Sequence, residues 1–142
     1  MMIQTFVNPR ATTSSLDHAS AWSYDTAFCR YRGLINSAEQ EKLRTGRVAI
    51  AGLGGVGGVH LVTLARLGIG AFHVADPDRF ELANFNRQYG ATTRSLSRSK
   101  AKEMAETAAA INPQTDLRVS LPRRLGGPTP LEAGDHGHER VS

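Results

Sequence analysis

The segment from Arg47 to Gln88 constrains the fold of this chain more than any other part of the sequence. A short apolar run at 48–51 leads into a glycine loop, GLGGVG, at 52–57. Apolar residues at helical spacing follow, and then a second apolar run that ends at Asp76. Strand, glycine loop, helix, strand and acid, in this order, are typical of a nucleotide-binding βαβ unit. The sequence therefore predicts an α/β domain with a Rossmann-like, doubly wound parallel sheet.

The glycine loop and the acid that ends the second strand are the candidate nucleotide-binding features. Gly52 and Gly54 permit a tight turn and a close approach of the backbone to a ligand, where a Cβ would collide. Gly57 permits close packing of the next helix, whose first N–H groups and partial positive charge favour a phosphate. Asp76 follows Gly57 by 19 residues, a spacing at which an acid can accept both hydroxyls of a ribose. The alternative, that these residues only shape turns, stays open.

Cations are concentrated directly after the second predicted strand. Between Arg79 and Lys102 there are six cations and a single acid, Glu81. The six are Arg79, Arg87, Arg94, Arg98, Lys100 and Lys102. Because they adjoin the glycine loop, they favour a polyphosphate ligand, whereas the net charge of +4 for the whole chain suits any anion or an ordinary solvated surface.

The region before the glycine loop divides into a polar arm and a helix. Residues 1–26 are rich in Ser, Thr and Ala, and we expect a flexible N-terminal arm with Trp22 and Tyr24 as anchors. Ser37 and Gln40 fit a capping box, which predicts that a helix begins there.

The run at 47–51 alternates too little for a half-exposed strand, so we expect a strand buried on both faces, as in parallel sheets. Residues 77–98 form a long polar loop with one helical turn around 82–86, and a loop of this length in a compact domain is usually functional or disordered. The other predicted elements are a helix over 56–67 stopped by Gly68, a strand over 71–75, a helix over 99–111 and a strand over 117–120.

After residue 121 the composition changes. Residues 122–142 hold seven Gly or Pro in 21 positions and show no apolar pattern, so we expect a disordered or aberrant tail. The predicted nucleotide-binding domain is therefore partial and covers 27–121, between the arm and this tail. Cys29 is the only cysteine, which excludes an intramolecular disulfide and a four-cysteine zinc site and favours the cytoplasm. No apolar run reaches transmembrane length, so we expect no membrane partner.

Three segments in a fixed order carry a resemblance to a known family. VAIAGLGGVGG, ADPDRFELANFNRQ and SRSKAKEMAETAAAINP resemble the ThiF/MoeB/HesA adenylyltransferases, bacterial relatives of ubiquitin-activating enzymes. The resemblance covers about 27–119. It implies binding of ATP with Mg²⁺, adenylation of the C-terminal carboxylate of a ubiquitin-like or sulfur-carrier protein, and a homodimer. Some relatives act on tRNA, so tRNA is a second, weaker candidate partner.

The resemblance also assigns roles to individual residues. It implies a catalytic set of Arg87, Lys100 and Arg30, with Arg30 supplied across the dimer interface and Arg32 as its rival. The candidate nucleotide-binding residues are Gly52, Gly54, Gly55, Gly57, Asp76, Asp78, Asn84, Arg87 and Lys100. Asp78 is the ambiguous member of this set, because Asp-Pro-Asp is also a favourable turn sequence.

The chemistry of adenylation supports these roles independently. A carboxylate that attacks an α-phosphate concentrates negative charge on the phosphate oxygens and on the departing pyrophosphate. Arg87 can bind two phosphate oxygens with its planar guanidinium, Lys100 acts as a movable point charge, and Asn84 donates without adding charge. A hydride-transfer site has no comparable need for cations beside the ribose acid.

One part of the family pattern is missing. The aspartate that binds Mg²⁺ in the family is expected near or beyond residue 142, and Asp135 has no strand before it, so we assign no metal ligand and expect a C-terminally truncated member, with loss of activity through truncation as an open alternative. Two alternatives stay open: a fragment of an NAD-dependent oxidoreductase, which the glycines and Asp76 fit equally well, and a non-catalytic dimerisation or docking module.

Overall fold

The computed structural model describes residues 3–5 and 22–121, which form one four-stranded sheet with helices. The strands are β1 (Ile3–Thr5), β2 (Arg47–Ala51), β3 (Ala71–Ala75) and β4 (Asp116–Ser120). The helices are α1 (Tyr24–Ala27), α2 (Ser37–Thr45), α3 (Gly57–Leu67) and α4 (Lys100–Ile111), with 3-10 turns at Cys29–Tyr31 and Leu82–Asn84.

The strand order in the sheet is β1-β4-β3-β2. β2, β3 and β4 run parallel, with Val48 opposite Phe72 and Phe72 opposite Leu117, whereas β1 pairs antiparallel with β4. α3 connects β2 to β3 and α4 connects β3 to β4, as parallel pairing requires. The prediction of an open, Rossmann-like parallel sheet is confirmed.

The core lies between one face of the sheet and the two crossover helices. Apolar side chains of the strands and of both helices are fully or almost fully buried there. They include Phe72, Val74, Leu117, Val119, Leu61, Ala65, Met104, Ala105 and Ala108. Because small alanines of α4 face the sheet, this helix can lie close to β3 and β4 and bring its N-terminus to the end of β3.

β2 differs from its prediction. Its burial alternates between exposed and half-buried along the strand, so it is not buried on both faces. The physical reason is its place at the edge of the described sheet, where it pairs with β3 alone. Val48 and Ile50 pack against the core, while Ala49 and Ala51 on the opposite face are exposed in the described part of the chain.

The N-terminal arm is also partly corrected. Ile3–Thr5 is a strand and not loose chain, because its backbone pairs with β4, and α1 begins at Tyr24 inside the predicted arm. Residues 6–21 lie outside the described residues, as does the predicted tail at 122–142. The boundaries 1–26, 27–121 and 122–142 stay predictions.

The predicted capping box is displaced by one residue. Asn36, not Ser37, caps α2, since its side chain accepts from the Glu39 N–H while the Glu39 carboxylate accepts from the Asn36 N–H at 2.8 Å. Asn and Ser are equally good caps, so composition alone could not decide between the two registers. The stop at Gly68 is confirmed: this residue ends α3 in the left-handed conformation with φ +90°.

The long loop between β3 and α4 is pinned in place. Phe80 is fully buried, and its backbone N–H and C=O bond to Arg98 and Ser97 across the loop. Gly90 lies against Phe80 and Met104 so closely that a Cβ would collide with both side chains. This loop therefore holds Asn84 and Arg87 in fixed positions relative to the end of β3. Within the described residues, no helix has both the length and the apolar character to cross a membrane.

The anchoring role predicted for Tyr24 yields a stability prediction. Tyr24 is 3 % exposed, and its hydroxyl donates to the Gly68 carbonyl at 2.6 Å. The pKa of this hydroxyl is raised, mainly because the side chain is buried. Replacing Tyr24 by Phe should lower the free energy of unfolding by about 1–2 kcal/mol at pH 7, because the Gly68 carbonyl loses its donor.

The same substitution should change how the free energy of unfolding depends on pH in alkaline solution. Above pH ~10 the unfolded tyrosine loses its proton while the native one keeps it, so the native form binds more protons and stability falls as pH rises. Tyr24→Phe removes this contribution, so the gap between variant and wild type should narrow from pH 8 to pH 11 in urea unfolding. A gap that stays constant would contradict the assignment.

Candidate functional site

Asp76 joins the glycine loop to the end of β3. It is 4 % exposed, and its two oxygens accept from backbone N–H groups, Oδ2 from Leu53 at 2.6 Å and Oδ1 from Asp78 at 2.8 Å. The turn role that the sequence left open is therefore real. A carboxylate oxygen has a second lone pair, so both oxygens can still accept from a ribose.

The glycine loop turns tightly between β2 and α3. Gly52 has φ +85°, and its N–H donates to the Ala75 carbonyl at 2.8 Å, which closes the loop onto the end of β3. A Cβ on Gly57 would collide with the Gly52 carbonyl. By contrast, Gly54 and Gly55 border the 77–98 loop at ordinary contact distance. Their role as close-approach positions stays a prediction.

The N-terminus of α3 lacks a side-chain cap in the described part of the chain, although the Gly58 N–H already donates to the Gly54 carbonyl at 3.3 Å. The N–H groups of a first helical turn have no intrahelical acceptor. Val56 holds the cap position of this eleven-residue helix and supplies no side-chain cap. A phosphate at this end would take the place of the missing cap and meet the positive end of the helix dipole.

Lys100 is held beside the same strand end. It begins α4, is 6 % exposed, and places Nζ 3.5 Å from the Asp78 carboxylate and 6.0 Å from the centroid of the Phe80 ring. Its backbone N–H donates to the Asp78 carbonyl at 3.0 Å. A buried ammonium costs desolvation unless anions compensate it, so one carboxylate at 3.5 Å leaves Lys100 suited to a second anion.

Asn84 and Arg87 lie on the pinned loop and differ in burial. Asn84 is buried, and its amide oxygen accepts from the Glu81 N–H at 3.0 Å, which leaves the amide nitrogen to donate. Arg87 is exposed, and its guanidinium folds back to the Ala83 carbonyl at 2.6 Å and the Asn86 side chain at 3.2 Å. Binding two phosphate oxygens would require this side chain to turn away from both contacts.

Arg30 is not brought to this site within one chain. It is exposed on the 3-10 turn that packs against the far end of α3, where Tyr31 donates to the Arg66 carbonyl at 3.0 Å. The eleven residues of α3 span about 16 Å at ~1.5 Å per residue, and the glycine loop lies at the opposite end. A role for Arg30 in catalysis therefore needs a second chain.

Gln88 was missed by the sequence reasoning, although it is the last residue of the resembling segment. It is 8 % exposed, and its amide nitrogen would lie 3.6 Å from a Cβ built on Gly54. A polar residue directly after Arg87 in a run of Asn and Gln carried no distinct signal by itself.

A metal centre is not built by the described residues. Within 3–5 and 22–121, no three His, Cys, Asp or Glu side chains come together to hold an ion. The Asp76 carboxylate already accepts from the backbone N–H groups of Leu53 and Asp78, and the Asp78 carboxylate lies 3.5 Å from the Lys100 ammonium. Asp135 lies outside the described residues, so the absence of a protein metal ligand stays a prediction.

A parallel sheet with a glycine loop at the N-terminus of a helix and an acid at the end of the next strand defines the Rossmann-like α/β class. Within that class, the ThiF family model matches residues 28–129, and the chain belongs to the ThiF family.

Named relatives agree with this family. The chain is 41 % identical over 104 residues to ubiquitin-like modifier-activating enzyme 5 of Gallus gallus, covering 73 % of this chain and 25 % of the relative. It is 36 % identical over 88 residues to the sulfur carrier protein ThiS adenylyltransferase of Escherichia coli, covering 62 % and 35 %. It also superposes on E. coli tRNA N6-threonylcarbamoyladenosine dehydratase, TcdA, in complex with ATP, with a TM-score of 0.67, 30 % identity and coverage of 70 % and 41 %.

The chain spans between 25 % and 41 % of the length of these three proteins. The names of these relatives, a modifier-activating enzyme and an adenylyltransferase, favour neither the NAD-dependent fragment nor the non-catalytic module.

Proposed function

We propose that this chain binds ATP and forms the nucleotide half of a ThiF-type adenylyltransferase site. The observation that carries the proposal is the junction at the end of β3, where Asp76 ties down the glycine loop and a buried Lys100 stands beside Asp78. Ribose hydroxyls bind at Asp76, and the phosphates extend toward the uncapped start of α3 and the Lys100 ammonium. The ATP in the structure of TcdA supports this choice of nucleotide.

The reaction proposed is the attack of a C-terminal carboxylate on the α-phosphate of ATP, with release of pyrophosphate. Lys100 and Arg87 offset the charge that grows on the phosphate oxygens, and Asn84 adds a neutral donor. Mg²⁺ would be held mainly by the phosphates of ATP and by water, with few protein ligands, and would offset part of the phosphate charge. The acceptor proposed is a ubiquitin-like or sulfur-carrier protein, in line with the names of the relatives.

A homodimer is part of the same proposal. Because Arg30 lies at the far end of α3 from its own glycine loop, it can reach a nucleotide only in a second copy of the chain. Its exposure on the 3-10 turn leaves the guanidinium accessible to such a copy.

The test of nucleotide choice is calorimetric titration of the chain with MgATP and, separately, with NAD. ATP should bind saturably and NAD should bind much more weakly, because NAD brings no triphosphate to the Lys100 ammonium. Tight NAD binding with no ATP binding would overturn the proposal.

The acceptor is tested by ATP–pyrophosphate exchange. A carrier protein that ends in a free Gly-Gly carboxylate should stimulate exchange, and the same carrier with a C-terminal amide is the matched control. A tRNA substrate is a further arm, given the name of the TcdA structure. ATP binding without exchange in any arm would restrict the function of this chain to nucleotide binding.

A further inference from the structure

Gln88 carries a buried polar group that the fold does not use. Its side-chain oxygen Oε1 has almost no accessible surface and no hydrogen-bond partner in the part of the chain that the structure describes. Nearly all buried polar groups in native proteins have a partner, so an exception calls for a reason. Packing alone does not explain a glutamine at this position, because a methionine of the same length would fill the same space without burying a polar oxygen.

The amide lies directly against the glycine loop. Its nitrogen Nε2 would stand 3.6 Å from a Cβ on Gly54, and the Arg87 carbonyl stands 3.4 Å from one on Gly55. The backbone positions this side chain firmly, since the Gln88 N–H donates to Asn84 at 2.9 Å and its carbonyl accepts from Ala91 at 3.0 Å. The donor end of the amide therefore faces the loop, and the acceptor end faces the interior.

We infer that Gln88 is a specificity-determining residue of the nucleotide site, whose Nε2 donates a hydrogen bond to a phosphate oxygen of ATP at the glycine loop. The inference rests on the proposed function. Phosphate oxygens only accept hydrogen bonds at neutral pH, which matches the end of the amide that faces Gly54. A neutral donor here adds recognition of phosphate without a further charge next to Lys100.

This role predicts that Gln88→Met weakens MgATP binding without lowering thermal stability. Because the buried oxygen has no hydrogen-bond partner within 3–5 and 22–121 to lose, the midpoint of thermal unfolding should stay the same or rise. The affinity for MgATP should fall about five- to tenfold, the loss expected for one uncharged hydrogen bond. A residue with a merely structural role would show the reverse, a lower midpoint with ATP affinity retained.

The experiment compares wild type, Gln88→Met and the matched control Gln40→Met by differential scanning calorimetry and by titration with MgATP, tripolyphosphate and adenosine. Gln40 lies on α2 and its side-chain amide donates to the Tyr24 hydroxyl at 3.2 Å, so its variant should leave all three affinities unchanged. For Gln88→Met, ATP and tripolyphosphate should both bind more weakly, with adenosine unchanged.

Three results would overturn the inference: equal ATP affinity in Gln88→Met and wild type, a loss confined to adenosine, or a lowered unfolding midpoint. The first would leave the proposed function intact, since wild type would still bind ATP. If wild type itself fails to bind ATP, the proposed function falls, and the inference falls with it.

Discussion

Replacing Gly57 by alanine should lower the free energy of unfolding by about 3 kcal/mol or more, because the new Cβ would collide with the Gly52 carbonyl. The obstacle is backbone, so no side-chain rotation relieves it. Gly52 cannot simply move away, since its N–H is bonded to Ala75 at 2.8 Å and holds the loop onto β3. The thermal midpoint should therefore drop by more than ~10 °C, measured by circular dichroism.

Gly54→Ala is the matched control for this prediction. A Cβ at residue 54 meets only the Gln88 amide, at 3.6 and 3.8 Å, which is ordinary contact, and its φ is not in the left-handed region. Its thermal midpoint should stay within ~2 °C of wild type, while its MgATP affinity falls because the methyl group occupies the space of the nucleotide. If both variants melted at the same temperature, the close approach of Gly57 to Gly52 would not be the reason for the glycine.

Replacing Lys100 by methionine should weaken MgATP binding by about 10- to 100-fold. A charge-assisted contact to phosphate contributes about 1.5–3 kcal/mol, and each 1.4 kcal/mol is tenfold in affinity. The variant also leaves the Asp78 carboxylate without the ammonium that stands 3.5 Å away, so an extra negative charge faces the triphosphate. Any pyrophosphate exchange should be lost with the binding.

Two further variants separate these causes. Lys102→Met removes an exposed cation two positions along α4 and should change ATP affinity by less than about twofold, as expected for a solvated charge. The double variant Lys100→Met with Asp78→Asn should recover part of the loss, because it removes the negative charge of Asp78 together with the positive charge of Lys100. Equal losses in the Lys100 and Lys102 variants would mean that only net charge matters and that the buried position of Lys100 has no special role.

The course of the chain around the glycine loop was predictable because its signals are local. The strands at 47–51 and 71–75, the stop at Gly68 and the helix after Ser99 depend on residues within one or two turns of one another, and all are confirmed. The Ser99 side chain accepts from the Lys102 N–H at the start of α4, as an N-cap should.

Predictions that depended on neighbours in space were less secure. The burial of β2 was wrong because its sequence does not show that it is an edge strand. The strand at Ile3–Thr5 gave no local signal, since three residues form a strand only by pairing with β4, more than 110 positions away. The loop at 77–98 reads as polar and irregular, yet Phe80 anchors it in the core.

By itself the sequence determined the Rossmann-like class, the order of its elements, the ThiF family and the residues to examine, because periodicity, caps and motifs are short-range properties of a chain. Only the tertiary structure decided that Asp76 joins the loop to β3, that Lys100 is buried against Asp78, that Arg30 lies a helix length away, and that the Gln88 oxygen meets no hydrogen-bond partner among the described residues. These are statements about distance and desolvation between residues far apart in sequence, which arise when the chain packs and have no counterpart in local pattern.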